Sequence, residues 1–339
     1  LQPRAGSAGI YANAAIIRAY HASRGEAEQR DEIITTIYTH PSNAACAKTA
    51  GFKIITLYPT EKGYPDIEAL RAAFRSGIIA PLRHHHDIAL PDQPDASLRV
   101  TPAWSDFARQ GHSDRGYVGV KIAGVFPGNA ERDRTSVSGI YLLMSGKNGE
   151  PLAFIDGRAL TAWRTATTSA LASSYLSRAD ASRLLMVGAG TLAPRLIEAH
   201  ASVRPIREVL IWNRSPDRAR RLAKSLSGHP FDASATEDLE GAVRGADIIS
   251  CATLATEPLI SGAWLQDGVH LDLVGSFRPD MREADEEAVQ RARLFVDDRE
   301  AALNDAGDLA IPLKAGLIDE SDIAADLAEL SQGEKAGRR

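Results

Sequence analysis

Cysteine is nearly absent from this chain: Cys46 and Cys251 are its only two, far apart and in no CxxC pair. A disulfide framework is thereby excluded, and the usage fits a reducing, cytoplasmic setting. No apolar run is long enough to span a bilayer, and no signal-peptide pattern is present. Excess positive charge is lacking too: 39 Lys and Arg against 44 Asp and Glu leave a net charge of −5. Neither nucleic acid nor an anionic membrane is expected as a partner. The chain opens on Leu1 without an initiator Met, which reads as a fragment or a processed product. What remains, 44% hydrophobic and 24% charged over 339 residues, is a soluble globular composition with room for two domains.

The most informative stretch runs from Arg183 to Arg214. A short apolar run, Leu184 to Val187, leads into Gly188, Gly190 and Ala193 in a G-x-G-x-x-A pattern. A helix-like segment and a second apolar run, Val209 to Trp212, follow. That is the strand, turn, helix, strand order of a dinucleotide-binding βαβ unit, with Thr191 and Leu192 between the glycines and the helix. Gly188 lets the chain turn sharply, and Gly190 lets backbone N–H groups approach a pyrophosphate. An NAD site usually places Asp or Glu where the second strand ends; here stand Asn213, Arg214 and Ser215, with Arg218 one turn further on. No carboxylate is there to repel a 2′-phosphate, so the pattern points to NADPH, with NADH possible; the other reading of Arg214 is a solvated surface arginine.

Three further blocks surround this unit. Residues 1–74 read as an α/β fragment: Asn13–Ser23 is helical in spacing, and Glu32–Tyr38 and Phe52–Tyr58 are strands flanking a small-residue helix, Ser42–Thr49. Asp66 caps a short helix to Phe74. Residues 75–165 alternate apolar and polar over Ser97–Thr101, Tyr117–Phe126, Ser138–Met144 and Leu152–Ile155, with turns at Pro127-Gly128-Asn129 and Lys147-Asn148-Gly149. The pattern predicts a mostly antiparallel sheet followed by a helix, Leu160–Leu176. Residues 166–310 form the Rossmann domain, with further parallel strands at Ala246–Thr253, His270–Phe277 and Leu294–Asp297 and a charged surface helix at Asp280–Arg291. Residues 311–339 are a C-terminal return segment. Open α/β sheets bind ligands beyond the carboxyl ends of their strands, so Thr253 and the run Gly275-Ser276-Phe277 should border the nicotinamide, with Thr253 and Ser276 as the cofactor-binding candidates.

The antiparallel block and the helix after it carry the cations suited to chemistry: Arg83 in PLRHHH, Lys121 in GVKIAGVFPGN and Arg164 in LTAWRTAT. Cations inside apolar strand patterns are costly unless partnered. They either clamp a substrate carboxylate or pair with acidic side chains from elsewhere. His84, His85 and His86 are consecutive; on a strand they point to alternate faces, so they cannot ligate one metal, and no metal site is expected.

Two resemblances add to this reading. Residues 1–74 resemble part of the pyridoxal-phosphate subunit of glycine decarboxylase. Pro41 departs from that family in the His40-Pro41-Ser42-Asn43 run, nothing after Phe74 matches it, and neither Lys48 nor Lys53 suits a Schiff base. That cofactor is not expected. From Phe74 onward, the segments GVKIAGVFPGN, FIDGRALTAWRTATTSALASSYL, VGAGTLA, IWNR, SCATLATEPLI and LVGSFRPDMREAD resemble the ornithine cyclodeaminase/mu-crystallin family. The resemblance implies a homodimer with a substrate-binding β domain and a Rossmann domain, acting on small amino acids or cyclic imino acids. By position, Arg83, Lys121 and Arg164 match the family residues that hold the substrate carboxylate and activate its nitrogen.

Within that family, cyclodeaminases carry an aspartate where this chain has Phe277, and a phenyl ring cannot orient water. With Asn213-Arg214, this favours the reductase members, and the RHHH and PAWSDF segments resemble Δ1-pyrroline-2-carboxylate reductases. The expected reaction is NADPH-dependent reduction of Δ1-pyrroline-2-carboxylate or Δ1-piperideine-2-carboxylate to L-proline or L-pipecolate. Alternatives are an ornithine cyclodeaminase, an L-amino-acid dehydrogenase, and a non-catalytic NADPH-binding hybrid. The last arises because the chain reads as joined near Asp66–Phe74 and cut short at Arg339, as in a natural fusion, a composite gene model or a chimera.

Overall fold

The protein is described by a computed structural model over residues 32–36, 53–57, 67–111, 116–132 and 136–338. The expected helices Asn13–Ser23 and Ser42–Thr49 and the Asp66 cap lie outside the described residues. The chain divides into two compact units. The described residues of the first fall within Leu1–Gly63 and Ile78–Thr161. The second takes its residues from Tyr64–Gly77 and Ala162–Arg339, so helix α1 (Ile67–Ser76) goes with it.

In the first unit, β1 (Glu32–Thr36) and β2 (Lys53–Leu57) pair in parallel. A separate antiparallel sheet contains β3 (Ile78–Ile79), β4 (His84–Ile88), β5 (Ala96–Ser105), β6 (Tyr117–Val125), β7 (Val137–Ser145) and β8 (Pro151–Asp156). Its order is β3-β5-β6-β7-β8, with β4 also on β5. A four-residue helix, α2 (Phe107–Gln110), is capped by the Asp106 carboxylate on Arg109 N at 3.0 Å. The register sorts the side chains onto two faces. Ile122 stands opposite Ile140, and Leu142 opposite Phe154, so these four share one face. That face is apolar yet open: Phe154 is 67% exposed and Ile140 46%. Lys121 stands between Thr101 and Tyr141 on the opposite face. The Tyr141 ring lies over Gly119, where a Cβ would come 2.5 Å from its Cζ and displace it.

The second unit is doubly wound. Its sheet contains β9 (Arg183–Val187), β10 (Glu208–Trp212), β11 (Asp232–Ala235), β12 (Ile248–Cys251) and β13 (His270–Leu273) in the order β11-β10-β9-β12-β13, all parallel. Strand β9 is buried on both faces, which is why it reads as an unbroken apolar run. Leu184 and Met186 face one core cluster with Leu196 and Ile197, while Leu185 and Val187 face a second with Ala242 and Val243. Full burial of each such side chain stabilises by roughly 1.5–3 kcal/mol relative to exposure. The helices on this sheet include α3 (Gly157–Leu176), which begins in the first unit, α4 (Ala193–Val203), α5 (Pro216–Ser225) and α6 (Leu239–Gly245).

Two expectations in this unit need correction. Leu294–Asp297 is not a sixth strand of the main sheet: β14 (Leu294–Val296) pairs in parallel with β15 (Ile323–Asp326) in a separate two-stranded sheet. The charged helix expected over Asp280–Arg291 is only α7 (Glu286–Arg291), capped by Asp285, and Met281 to Ala284 before it are buried. The Glu283 carboxylate within that segment has both oxygens hydrogen-bonded, as described below, which offsets part of the cost of burying it. The remaining helices are α8 (Arg299–Asp305), α9 (Gly307–Lys314) and α10 (Leu327–Gln332), the last packed with α1.

Candidate functional site

The strand order reverses between β9 and β12, since β10 and β11 lie to one side of β9 and β12 and β13 to the other. A crevice at the carboxyl ends of the strands is therefore expected at this switch point. The glycine turn occupies it. Gly188 has φ +110, and a Cβ on it would lie 2.6 Å from the Ala252 carbonyl oxygen and 3.4 Å from Thr253 Cγ2. Glycine is thus imposed at 188 by the protein itself. At Gly190 the protein imposes nothing, because an added Cβ would meet no atom within 4 Å. Space kept clear beside a turn that opens helix α4 is the cradle a pyrophosphate needs, so the residues fit a dinucleotide. No side chain caps α4, and Leu192 occupies its N-cap position.

Asn213 is tied to this turn. Its Oδ1 accepts from Ala189 N at 3.1 Å, while its Nδ2 donates to the Ser215 carbonyl at 3.0 Å. The side chain therefore fixes the end of β10 against the glycine loop. Next to it, Arg214 and Arg218 are exposed, and neither guanidinium forms a hydrogen bond or ion pair with the described residues. Two uncommitted cations at the ribose end of a dinucleotide site suit a 2′-phosphate.

Beyond β12 and β13 lie the residues that pattern reading missed. The Glu283 side chain has no solvent exposure; its Oε1 accepts from Thr253 N and from Thr253 Oγ1, each at 2.7 Å, and its Oε2 accepts from Gly275 N at 2.7 Å. Burial pushes the Glu283 carboxyl up to about 7 in spite of these bonds. Asp308, at the start of α9, accepts from Glu283 N and Ala284 N at 2.9 and 3.0 Å, and burial raises its pKa as well. The Ser276 hydroxyl is committed to the same network, accepting from Asp308 N at 2.8 Å and donating to the Met281 carbonyl at 2.9 Å. Only the clustering of Glu283 in a segment bracketed by Met281 and Ala284 hinted at burial. Phe277, between these groups, is 47% exposed.

Of the three cations expected at a substrate, Lys121 is half-buried and donates to Thr161 Oγ1 at 2.7 Å, and Thr161 in turn donates to the Gly157 carbonyl at 2.5 Å. Arg83 is exposed in the loop before β4. Arg164 is exposed on α3 and belongs to the second unit. The histidines do lie on a strand. His84 and His86 face as Val100 and Leu98 do, while His85 faces the other way with Arg99 and sits 3.3 Å from Asp87. Among the described residues no cluster of His, Cys, Asp and Glu could hold a metal, and no helix is long and apolar enough to cross a membrane.

Comparison with known proteins agrees with this geometry. The model of the ornithine cyclodeaminase/mu-crystallin family matches residues 88–339. The Δ1-pyrroline-2-carboxylate reductase of Paracoccus denitrificans is 39% identical over 259 residues, 76% of this chain and 79% of that protein. The ketimine reductase mu-crystallin of Rattus norvegicus is 34% identical, with 80% and 82% of the two chains covered. Among solved structures, Thermococcus litoralis Δ1-pyrroline-2-carboxylate reductase in complex with NADH and L-proline superposes with a TM-score of 0.72 at 33% identity, covering 80% of this chain and 83% of that one. With its switch-point glycine turn, its antiparallel companion sheet and these matches, the chain belongs to the ornithine cyclodeaminase/mu-crystallin family.

Proposed function

We propose that this chain reduces cyclic ketimine acids, Δ1-pyrroline-2-carboxylate or Δ1-piperideine-2-carboxylate, with NADPH, giving L-proline or L-pipecolate. The observation that carries the reading is the pair of substitutions at the two ends of the crevice. Arg214, uncommitted, stands where an NAD site has a carboxylate, and Phe277, exposed, stands where a cyclodeaminase would need one. The relatives named as reductases of pyrroline-2-carboxylate and of ketimines support the same reaction class. The solved relative holds NADH, so the preference for NADPH rests on Arg214 and Arg218.

The backbone of Gly190, Thr191 and Leu192 would hold the pyrophosphate, Arg214 the 2′-phosphate, and the loops at Thr253 and Ser276 the nicotinamide end. Held there, the dinucleotide would supply the hydride for C2 of the imine. The family resemblance assigns the substrate carboxylate to Arg83 and Arg164, and a guanidinium on that carboxylate would fix the face open to attack. Lys121 delivers the proton that the imine nitrogen gains as the C=N bond becomes a C–N bond. Its hydrogen bond to Thr161 directs the ammonium. The open apolar face around Ile140 and Phe154 is the surface on which we place a second copy of the chain, as a homodimer.

The test is absorbance-monitored NADPH oxidation with Δ1-pyrroline-2-carboxylate, run beside NADH and an Arg164→Ala control. Turnover preferring NADPH and lost in the control is expected. Binding of NADPH without turnover would replace the reductase with a cofactor-binding protein, and turnover of L-amino acids alone would replace it with a dehydrogenase.

A further inference from the structure

Glu283 is a carboxylate without access to solvent, and no role in holding the substrate or the pyrophosphate accounts for it. Its bonds have a particular layout. Thr253 follows β12 and Gly275 follows β13, so one carboxyl group spans the two loops that continue the sheet on the far side of the switch point. Both loops present N–H groups, and a bridge between donors must be an acceptor at both ends. A carboxylate has that property; the isosteric amide does not, because its NH2 would face one of the N–H groups. The backbone of Glu283 is anchored in turn, since its own N–H and that of Ala284 converge on Asp308 Oδ1. Gly307 permits this approach, as a Cβ there would run into the Met281 carbonyl oxygen. On its open side the arrangement reaches the glycine turn, where Thr253 Cγ2 lies 3.4 Å from the position of a Gly188 Cβ.

We propose that Glu283, seated on Asp308, is a positioning residue for the nicotinamide half of the cofactor. It holds loops 253–255 and 275–277 at the one separation that admits the ring, without touching the ligand itself. The adenosine half is read elsewhere, by the glycine turn with Asn213 and Arg214, so the two halves are separable. The inference rests on the NADPH reading above.

The experiment compares binding of NADPH and of adenosine 2′,5′-bisphosphate to the full chain by calorimetry, for wild type and Glu283→Gln. The expected result is at least a tenfold loss of NADPH affinity in the variant, with the affinity for the bisphosphate unchanged within about twofold. Equal weakening of both ligands would mean a merely structural role and would overturn the proposal, as would an unchanged NADPH affinity. If Glu283→Gln does not fold, Thr253→Val, which removes one of the three bonds and leaves Glu283 in place, takes its part, with a several-fold loss for NADPH only. Amide exchange in the ligand-free wild type gives an independent check: slow exchange at Thr253 and Gly275 supports the clamp, and rapid exchange at both refutes it. Wild type that binds neither ligand would remove the cofactor reading itself, and the clamp with it. That outcome is distinct from failure of the clamp alone, where wild type binds both ligands and the variant shows no selective loss.

Discussion

Replacing Gly190 by alanine should damage binding and leave the fold intact. The added methyl meets no protein atom within 4 Å, and φ at this position lies outside the left-handed region. An alanine that fits its backbone stabilises by about 0.4–1 kcal/mol, through the entropy it removes from the unfolded chain. Melting temperature should therefore hold or rise by about 1–4 °C. On the proposed cofactor reading, the same methyl stands where a phosphate oxygen approaches the backbone N–H groups. Losing one charge-assisted hydrogen bond costs about 1.5–3 kcal/mol, so NADPH should bind roughly 10- to 150-fold more weakly. Scanning calorimetry and a fluorescence titration of NADPH on the same preparation measure both quantities. Gly188→Ala supplies the contrast: at φ +110, with its Cβ 2.6 Å from a backbone carbonyl, it should lose about 2 kcal/mol or more of stability. A Gly190→Ala protein that melts several degrees lower, or that binds NADPH as wild type does, would refute the cradle argument.

Other outcomes follow from single features. Arg214→Ala should weaken NADPH about 10- to 100-fold and NADH by less than about twofold, measured by titration; equal losses would remove the 2′-phosphate assignment. His270 is held at about 4 by burial, against 6.5 when exposed, so the unfolded chain takes its proton first and stability falls as pH drops from 6.5 to about 4. Glu283, raised to about 7 from 4.5, acts in the opposite sense, losing stability as pH rises from 4.5 to 7. The two slopes oppose each other in wild type. Urea denaturation of Glu283→Gln should therefore show stability falling more steeply from pH 7 to 4.5 than in wild type, and identical pH profiles would contradict it. Phe154→Lys with Ile140→Glu should turn the proposed dimer into a monomer in sedimentation, and wild type that sediments as a monomer would dismiss the dimer.

The cofactor unit was legible because its physics is local. A strand buried on both faces must be apolar throughout, and a positive-φ turn against a neighbouring carbonyl must be glycine, so Leu184 to Gly188 announce themselves. The antiparallel sheet was legible for a similar reason, through alternation along β6 and β7. Strand β11 was not: Asp232-Ala233-Ser234-Ala235 lies at the sheet edge and has no apolar run to mark it. The segment Arg282 to Asp285 reads as surface because charged residues usually are, and only long-range hydrogen bonds to Thr253, Gly275 and Asp308 show why Glu283 is inside. Strand β14 has the right composition for the main sheet, but its partner lies at Ile323–Asp326, and pairing at that distance leaves no periodic trace. The roles proposed for Arg83, Lys121 and Arg164 come from resemblance, because a cation in a strand pattern does not itself name its partner.

The division of labour between Asn213 and its neighbour bears on how such a site diversifies. Asn213 spends both ends of its amide on the backbone, so the turn keeps its shape whatever follows it. Among the described residues, the Arg214 guanidinium makes no hydrogen bond or ion pair. With Arg214 proposed to hold the 2′-phosphate, a lineage could change the residue at 214, and with it the nucleotide bound, in a single step that folding does not oppose. On that proposal, electron-donor choice is free to drift with the supply of the cell, while the turn that Asn213 holds stays under selection for shape.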